Sequence, residues 1–338
     1  MATSAPAVLV VGPSWVGDMV MAQSLLKVLA ARTPAPEIHV LAPPHTHPLL
    51  AHMPEVDQTL NLDLGHGRLG LGRRRALGHR LRGRYTQAIV LPNSFKSALI
   101  PWWAGIPRRT GWRGERRGFL LDDLRVLDPL RLPTTVQRFV ALGLDPDSAV
   151  ERVPLPHLEV EVLEIQRTLH ALGLSRPARR RLLALCPGAE FGPAKQWPAD
   201  HFGRLARAHL DRGWAVWLLG SAGDRAVCAA VNAHAGGGCL DLGGRTSLGQ
   251  AVDLLALADR VVSNDSGLMH VAAALNRPLA ALFGSTDPGH TPPLGRQVHI
   301  LREPTDCAPC FRRECPKGHL DCLRRLRPER VLAAFGEA

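Results

Sequence analysis

Short, wholly apolar runs that break directly into glycine-, serine- or proline-rich turns recur along this chain, and no other feature limits its fold as strongly. Ala7 to Val11 leads into Gly12 to Gly17, Leu182 to Leu185 into Pro187 to Gly192, Ala215 to Leu219 into Gly220 to Gly223, Val261 to Val262 into Ser263 to Gly267, and Leu279 to Phe283 into Gly284 to Thr286. A strand that is apolar on both faces must be covered on both, the condition met by a parallel sheet flanked by crossover helices. Helical patterns follow the turns: Met19, Ala22, Leu25, Leu26 and Leu29 share one face, and Ala199 to Leu210, Gly223 to Ala233 and Leu248 to Leu257 read the same way. Ile38 to Leu41 and Ala88 to Leu91 supply further strands in the first half.

At 338 residues the chain is long for a single hydrophobic core. The Pro- and Arg-rich stretch LGLSRPARRR, 172 to 181, reads as a linker. The expected architecture is therefore α/β, with two doubly wound halves, 1–172 and 173–325, whose parallel sheets face a central cleft; a C-terminal helix, 326–338, is expected to pack back on the first half. In open parallel sheets ligands sit beyond the carboxyl ends of the strands, where each of these turns falls.

Among the turns, SNDSGLMH, 263 to 270, carries the most chemistry. A buried strand that stops there and restarts as a helix presents hydroxyls, a glycine and backbone N–H groups at a helix N-terminus, a cradle suited to a phosphate or diphosphate. Ser266 can cap the helix, Gly267 lets a ligand approach, and His270 lies one turn on. Asp-Ser-Gly is also ordinary capping vocabulary, so the motif alone leaves both readings open. The default chemistries of α/β proteins are missing: neither half carries G-x-G-x-x-G after its first strand, and the chain contains no G-x-x-x-x-G-K-[ST] and no G-x-S-x-G.

The formal net charge is +11, and the excess is concentrated in two arginine runs: Arg68, Arg73, Arg74, Arg75, Arg80, Arg82 and Arg84, then Arg108, Arg109, Arg113, Arg116 and Arg117. Such runs fit an anionic membrane surface or a phosphorylated lipid, or are simply solvated faces. Few aromatics interleave with them and no reading motif is present, so no nucleic acid is expected. No apolar run approaches the roughly 18 residues that span a bilayer, and the start lacks a basic signal region, so a cytoplasmic location is expected.

Five ordered blocks, GPSWVGDMVMAQSL (12–25), LPNSFKSALIPWWAGIPRRTGWRGERR (91–117), PGAEFGPAKQWP (187–198), SNDSGLMHVAAALNRP (263–278) and FGSTDPGHTPP (283–293), resemble the lipopolysaccharide heptosyltransferases, and the first and third are more like the second heptosyltransferase than the first. The resemblance implies a GT-B fold of two Rossmann-like domains, the first binding acceptor and the second nucleotide sugar. It implies ADP-heptose as donor, a phosphorylated heptosyl-Kdo-lipid A inner core as acceptor, inversion at the anomeric carbon, and peripheral association with the inner membrane. A heptosyltransferase I-type enzyme, another nucleotide-sugar enzyme of this fold such as an epimerase, and a basic binding protein without turnover stay open beside it.

Inverting transfer needs a base for the acceptor hydroxyl and charge stabilisation for the leaving diphosphate. Asp18 matches the family's aspartate at the first strand-to-helix mouth; its other reading is a helix-start acid complementing the dipole. Lys195 matches the phosphate-contacting lysine, and with helix N-termini it would make a divalent metal dispensable, so no cofactor is required on this reading. Donor contacts implied are Glu190, Phe191, Asp224, Thr246, Ser247, Asp265, Ser266, Gly267, His270 and Thr286, with His270 alternatively a satisfied core histidine. Ser14, Trp15, Gly17, Asn93 and Lys96 lie in the blocks that would bind acceptor. Of seven cysteines, Cys186, Cys228 and Cys239 are scattered, while Cys307, Cys310, Cys315 and Cys322 cluster. Their C-x2-C-x4-C-x6-C spacing admits a structural zinc, but the irregular second half favours reduced, packed thiols.

Overall fold

The computed structural model describes residues 7–64, 69–177 and 180–336. Arg68 of the first basic run, Ala178 and Arg179 of the linker stretch, and the last two residues of the C-terminal segment lie outside the described residues. Contacts divide the chain into two units, Met1–Pro156 and His157–Ala338.

The first unit is a six-stranded parallel sheet of β1 (Ala7–Val11), β2 (Glu37–Ala42), β3 (Gln58–Asn61), β4 (Gln87–Val90), β5 (Arg108–Trp112) and β6 (Asp123–Arg125), in the order β3-β2-β1-β4-β5-β6. Its centre is as apolar as the sequence requires: Leu9, Leu41, Ala88, Ile89 and Val90 are fully buried. The helix Val16–Ala30 follows β1 and buries Met19, Ala22, Leu25, Leu26 and Leu29, the face read from the spacing.

The second unit repeats the plan with β7 (Leu182–Cys186), β8 (Ala215–Leu218), β9 (Leu240–Asp241), β10 (Arg260–Asn264), β11 (Leu279–Phe283) and β12 (Val298–Arg302), in the order β12-β11-β10-β7-β8-β9, all parallel. Its core joins Leu183, Leu185, Phe202, Leu218, Val262 and Leu282. The fold class is thus the expected pair of Rossmann-like α/β units.

The division between units falls at Pro156/His157 rather than at the 172–181 stretch. The helix Val162–Ala171 packs on the helix Leu248–Ala256, where Thr168 Oγ1 donates to Asp253 Oδ2 at 2.6 Å, both residues buried. The C-terminal helix Pro328–Ala334 packs on the helix Ala199–Asp211, its Val331 entering the second core, so it belongs to the second unit and not to the first as expected. Composition marked the proline-rich stretch as a linker, but membership is decided by which core a helix's apolar face can reach.

Candidate functional site

In the second sheet, chain order runs outward in opposite directions from the neighbours β7 and β10, so the turns that leave them part and open a crevice at their carboxyl ends. Asn264, the last residue of β10 and fully buried, ties the two turns together: its Oδ1 accepts from Trp197 N–H at 3.0 Å and its Nδ2 donates to the Pro187 carbonyl at 2.7 Å. One amide thus fixes both ends of the 187–197 turn. Lys195, on that turn, places its Nζ 2.6 Å from Asp265 Oδ2, and Thr286 Oγ1, from the turn after β11, donates to the same oxygen at 2.5 Å. Turns after three adjacent strands therefore meet on one carboxylate, whose side chain is 5% exposed. The Lys195 ammonium also lies 4.9 Å from the centroid of the Phe191 ring.

Ser266 occupies the N-cap position of the helix Gly267–Ala274 but makes no side-chain capping bond; its hydroxyl lies 3.2 Å from Ser263 Oγ instead. The capping role read from the sequence is therefore not adopted, and the first-turn N–H groups of this helix receive no side-chain cap. His270 is buried, and burial holds its imidazole down at about 4, helped by Lys195 and opposed by Asp265. Held that low, its imidazole stays neutral near pH 7.

The remaining donor candidates are dispersed. Asp224 Oδ2 accepts from both Ser221 N–H and Ser221 Oγ at 2.8 Å, closing a capping box, and its carboxyl lies against Gly188, where a Cβ would collide with it. Ser247 caps the helix Leu248–Ala256, its Oγ accepting from Gln250 N–H at 3.2 Å while Gln250 Oε1 accepts from Ser247 N–H at 2.9 Å. Thr246 precedes that cap, half-buried, and Glu190 is exposed.

In the first unit the order reverses between β1 and β4. Ser14, Trp15 and Gly17 follow β1, Asp18 stands half-buried in the first turn of Val16–Ala30, and Asn93 and Lys96 follow β4, so these candidates gather at the second switch point. His45, from the turn after β2, was not foreseen; its Nε2 donates to the Ser14 carbonyl at 2.8 Å. The signal available was its position just past a strand end.

The second arginine run is divided: Arg108, Arg113 and Arg116 are exposed, whereas Arg117 and Arg109 are held by the protein itself. Arg117 is fully buried; it donates to the carbonyls of Pro92 and Ser94, to Trp112 O at 2.8 Å, to Ser97 Oγ at 3.0 Å and to Asn93 Oδ1 at 3.2 Å, and burial lowers its guanidinium to about 10. Arg109 pairs with Asp122 at 2.9 Å and also donates to Leu120 O and Ile106 O. Arg74 is buried likewise, bonding Leu69 O and Lys96 O, while Arg73, Arg75, Arg80, Arg82 and Arg84 remain exposed.

Cys307, Cys310, Cys315 and Cys322 line one small cavity with His319 and Ser285, and all are free thiols. Among the described residues, however, no group of three or more His, Cys, Asp or Glu is arranged to hold a metal ion, so the zinc reading finds no support. Burial, then the neighbouring thiols, pushes Cys322 up to about 11, whereas the backbone N–H of Leu320 and its neighbours lower Cys315. Cys186, Cys228 and Cys239 are buried thiols raised by burial. No helix among the described residues is long and apolar enough to cross a membrane.

Residues 74–321 match glycosyltransferase family 9 (heptosyltransferase). The chain is 47% identical over 334 residues to lipopolysaccharide heptosyltransferase 2 of Escherichia coli K12, covering 96% of each, and 44% identical to lipooligosaccharide heptosyltransferase 2 of Haemophilus ducreyi, covering 98% of each. The solved structure of E. coli ADP-heptose LPS heptosyltransferase II matches with a TM-score of 0.86 at 45% identity, covering 98% of this chain and 97% of that one. E. coli heptosyltransferase WaaC, solved with ADP, matches in fold alone, with a TM-score of 0.73 at 20% identity over 98% of this chain and 99% of that one. Taken with the two switch-point sites, this similarity means that the chain belongs to glycosyltransferase family 9, the heptosyltransferases.

Proposed function

We propose that this enzyme transfers heptose from ADP-heptose to the first heptose of a phosphorylated heptosyl-Kdo-lipid A inner core in lipopolysaccharide biosynthesis, with inversion at the anomeric carbon. The observation that carries the donor half is the convergence of Lys195, Asp265 and Thr286 at the β7/β10 switch point, a held ammonium beside an uncapped helix N-terminus. A departing ADP accumulates negative charge on its terminal phosphate; the N–H groups of that helix end meet the charge without reorganising, and Lys195 donates to a phosphate oxygen beside them. In this reading Phe191 and Gly267 border the same place, Asp224 accepts from a ribose hydroxyl, Thr246 and Ser247 border the adenine, and Glu190 approaches the donor from the 187–192 turn.

Asp18 is the base in this reading. It takes the proton from the acceptor hydroxyl as that oxygen bonds the anomeric carbon and the bond to ADP breaks. Ser14, Trp15, Gly17, Asn93 and Lys96 hold the acceptor around it, with His45 fixing the Ser14 backbone. The exposed arginines Arg73, Arg75, Arg80, Arg82 and Arg84 face the anionic lipid headgroups of the cytoplasmic leaflet, each contributing about 1 kcal/mol near that surface.

Incubation with ADP-heptose and a defined mono-heptosylated Kdo-lipid A, followed by weighing the product, is the direct test: a gain of one heptose is expected. Asp18→Asn should abolish that gain while leaving ADP affinity within about threefold of wild type, since a threefold change is under 1 kcal/mol. Equal loss of transfer and of ADP binding would make Asp18 structural.

A further inference from the structure

After β12 the chain runs back across the ends of its own sheet as a strap, residues 303–320, before entering the short helix Asp321–Arg324. The strap is pinned to two of the turns that form the candidate donor site. Phe311 N–H donates to the Ser285 carbonyl at 2.7 Å, and the Arg313 carbonyl accepts from Ala194 N–H at 3.0 Å. The second contact is so close that a Cβ on Gly192 would stand 2.5 Å from the Arg313 oxygen, which is a reason for glycine at that position. At its root, Glu303 pairs with Arg330, and its cysteines surround the cavity described above. The strap is thus fixed at several points along its length.

This path brings Arg313 to the Phe191 ring. Its guanidinium carbon lies 5.4 Å from the ring centroid, and the Lys195 ammonium lies 4.9 Å from the same centroid. The two cations differ in one respect. Lys195 is already neutralised by Asp265 at 2.6 Å, so that pair presents little net charge to an incoming anion. Arg313 is exposed, and among the described residues its guanidinium makes no ion pair. A diphosphate meeting only the Lys195–Asp265 pair would find its charge opposed by the carboxylate; with Arg313 alongside, the local balance turns positive.

We propose that Arg313 is a second diphosphate-binding cation, delivered to the donor site by the cysteine-rich strap and steadied against Phe191. The proposal rests on the reading of this end of the second sheet as the nucleotide site. A planar guanidinium suits the task, because it offers paired N–H donors to phosphate oxygens while its face remains stacked on the ring.

The test is calorimetric titration of ADP into the full-length wild type, Arg313→Ala, Arg313→Lys and Arg312→Ala, with adenosine measured by its competition against ADP. Arg313→Ala is expected to weaken ADP about tenfold with adenosine unchanged; Arg313→Lys should retain most of the ADP affinity, and Arg312→Ala, an exposed neighbour in the strap, all of it. ADP affinity within twofold of wild type in Arg313→Ala, or equal weakening of ADP and adenosine, overturns the proposal while leaving the nucleotide site standing. A wild type that binds no ADP overturns the nucleotide reading and the proposal with it.

Discussion

Replacing Asn264 with alanine isolates the device that holds the donor side of the second unit together. The side chain is fully buried and makes two bonds, accepting from Trp197 N–H at 3.0 Å and donating to Pro187 O at 2.7 Å. Alanine removes both at once and leaves one backbone donor and one backbone acceptor without partners inside the protein. Each such orphan costs about 1–3 kcal/mol, so the expected loss is about 4 kcal/mol. In a unit of this size, roughly 2–4 °C per kcal/mol turns that into a drop of about 10 °C in its melting temperature. Urea unfolding followed by far-ultraviolet circular dichroism would read the loss. Asn264→Asp sharpens the test, since a carboxylate keeps the acceptor for Trp197 N–H but sets an anion against the Pro187 carbonyl. It should recover little at pH 7 and more as the carboxyl is protonated on acidification. A loss below about 1 kcal/mol for Asn264→Ala would refute the reasoning, because the 187–197 turn would then be held by its other contacts.

Two further expectations concern titrating groups. His270 is held near 4 in the folded protein against an ordinary value of 6.5, so the unfolded chain binds its proton first. The stability this contributes is fully present above about pH 6.5 and is lost progressively as pH falls from there toward 4, by about 3 kcal/mol in all. His270→Gln should flatten that part of the stability–pH curve; an imidazole resonance of His270 titrating with a midpoint above 6 would contradict it. Among the thiols, Cys315 should be alkylated first by iodoacetamide in the native protein, because N–H groups from Leu320 and neighbouring residues lower its thiol and it is only half-buried. Cys186, Cys228 and Cys239 should label only after unfolding, being buried and raised. Peptide mapping by mass spectrometry that found Cys228 modified as early as Cys315 would refute the assignment.

Where the chain buries a strand on both faces, its pattern was legible. β1, β7, β8, β10 and β11 all coincide with apolar runs, and the turns after them stand at strand ends as read. The strands that carry no such run, β3, β5, β6, β9 and β12, are of another kind. β5 reads RRTGW and β6 DLR, and they are strands because β5 pairs with β4 and β6 pairs with β5, with Arg108 and Arg125 both reaching Asp123. β12 likewise forms at the sheet's edge with a largely exposed pattern. A charged strand at or next to the sheet's edge has no apolar signature of its own; its hydrogen-bonding partner supplies the reason for its existence.

The same distinction runs through the candidate site. That anion-suited turns stand at the ends of buried parallel strands follows from local rules: apolar runs need two covered faces, and Gly, Ser and Asp close the turns between strand and helix. Sequence alone therefore determined the fold class, the turns and the residues standing in them. Which of those residues touch was decided by strand order. Placing β10 beside β7 and β11 beside β10 brings Lys195, Asp265 and Thr286 to one oxygen, though they lie far apart along the chain, and in the first sheet placing β5 beside β4 lets Arg117 leave an apparent basic run for the carbonyls of Pro92 and Trp112 in the interior. Strand order is a property of how two faces of a whole sheet are filled, and no window of residues shorter than the unit contains that information.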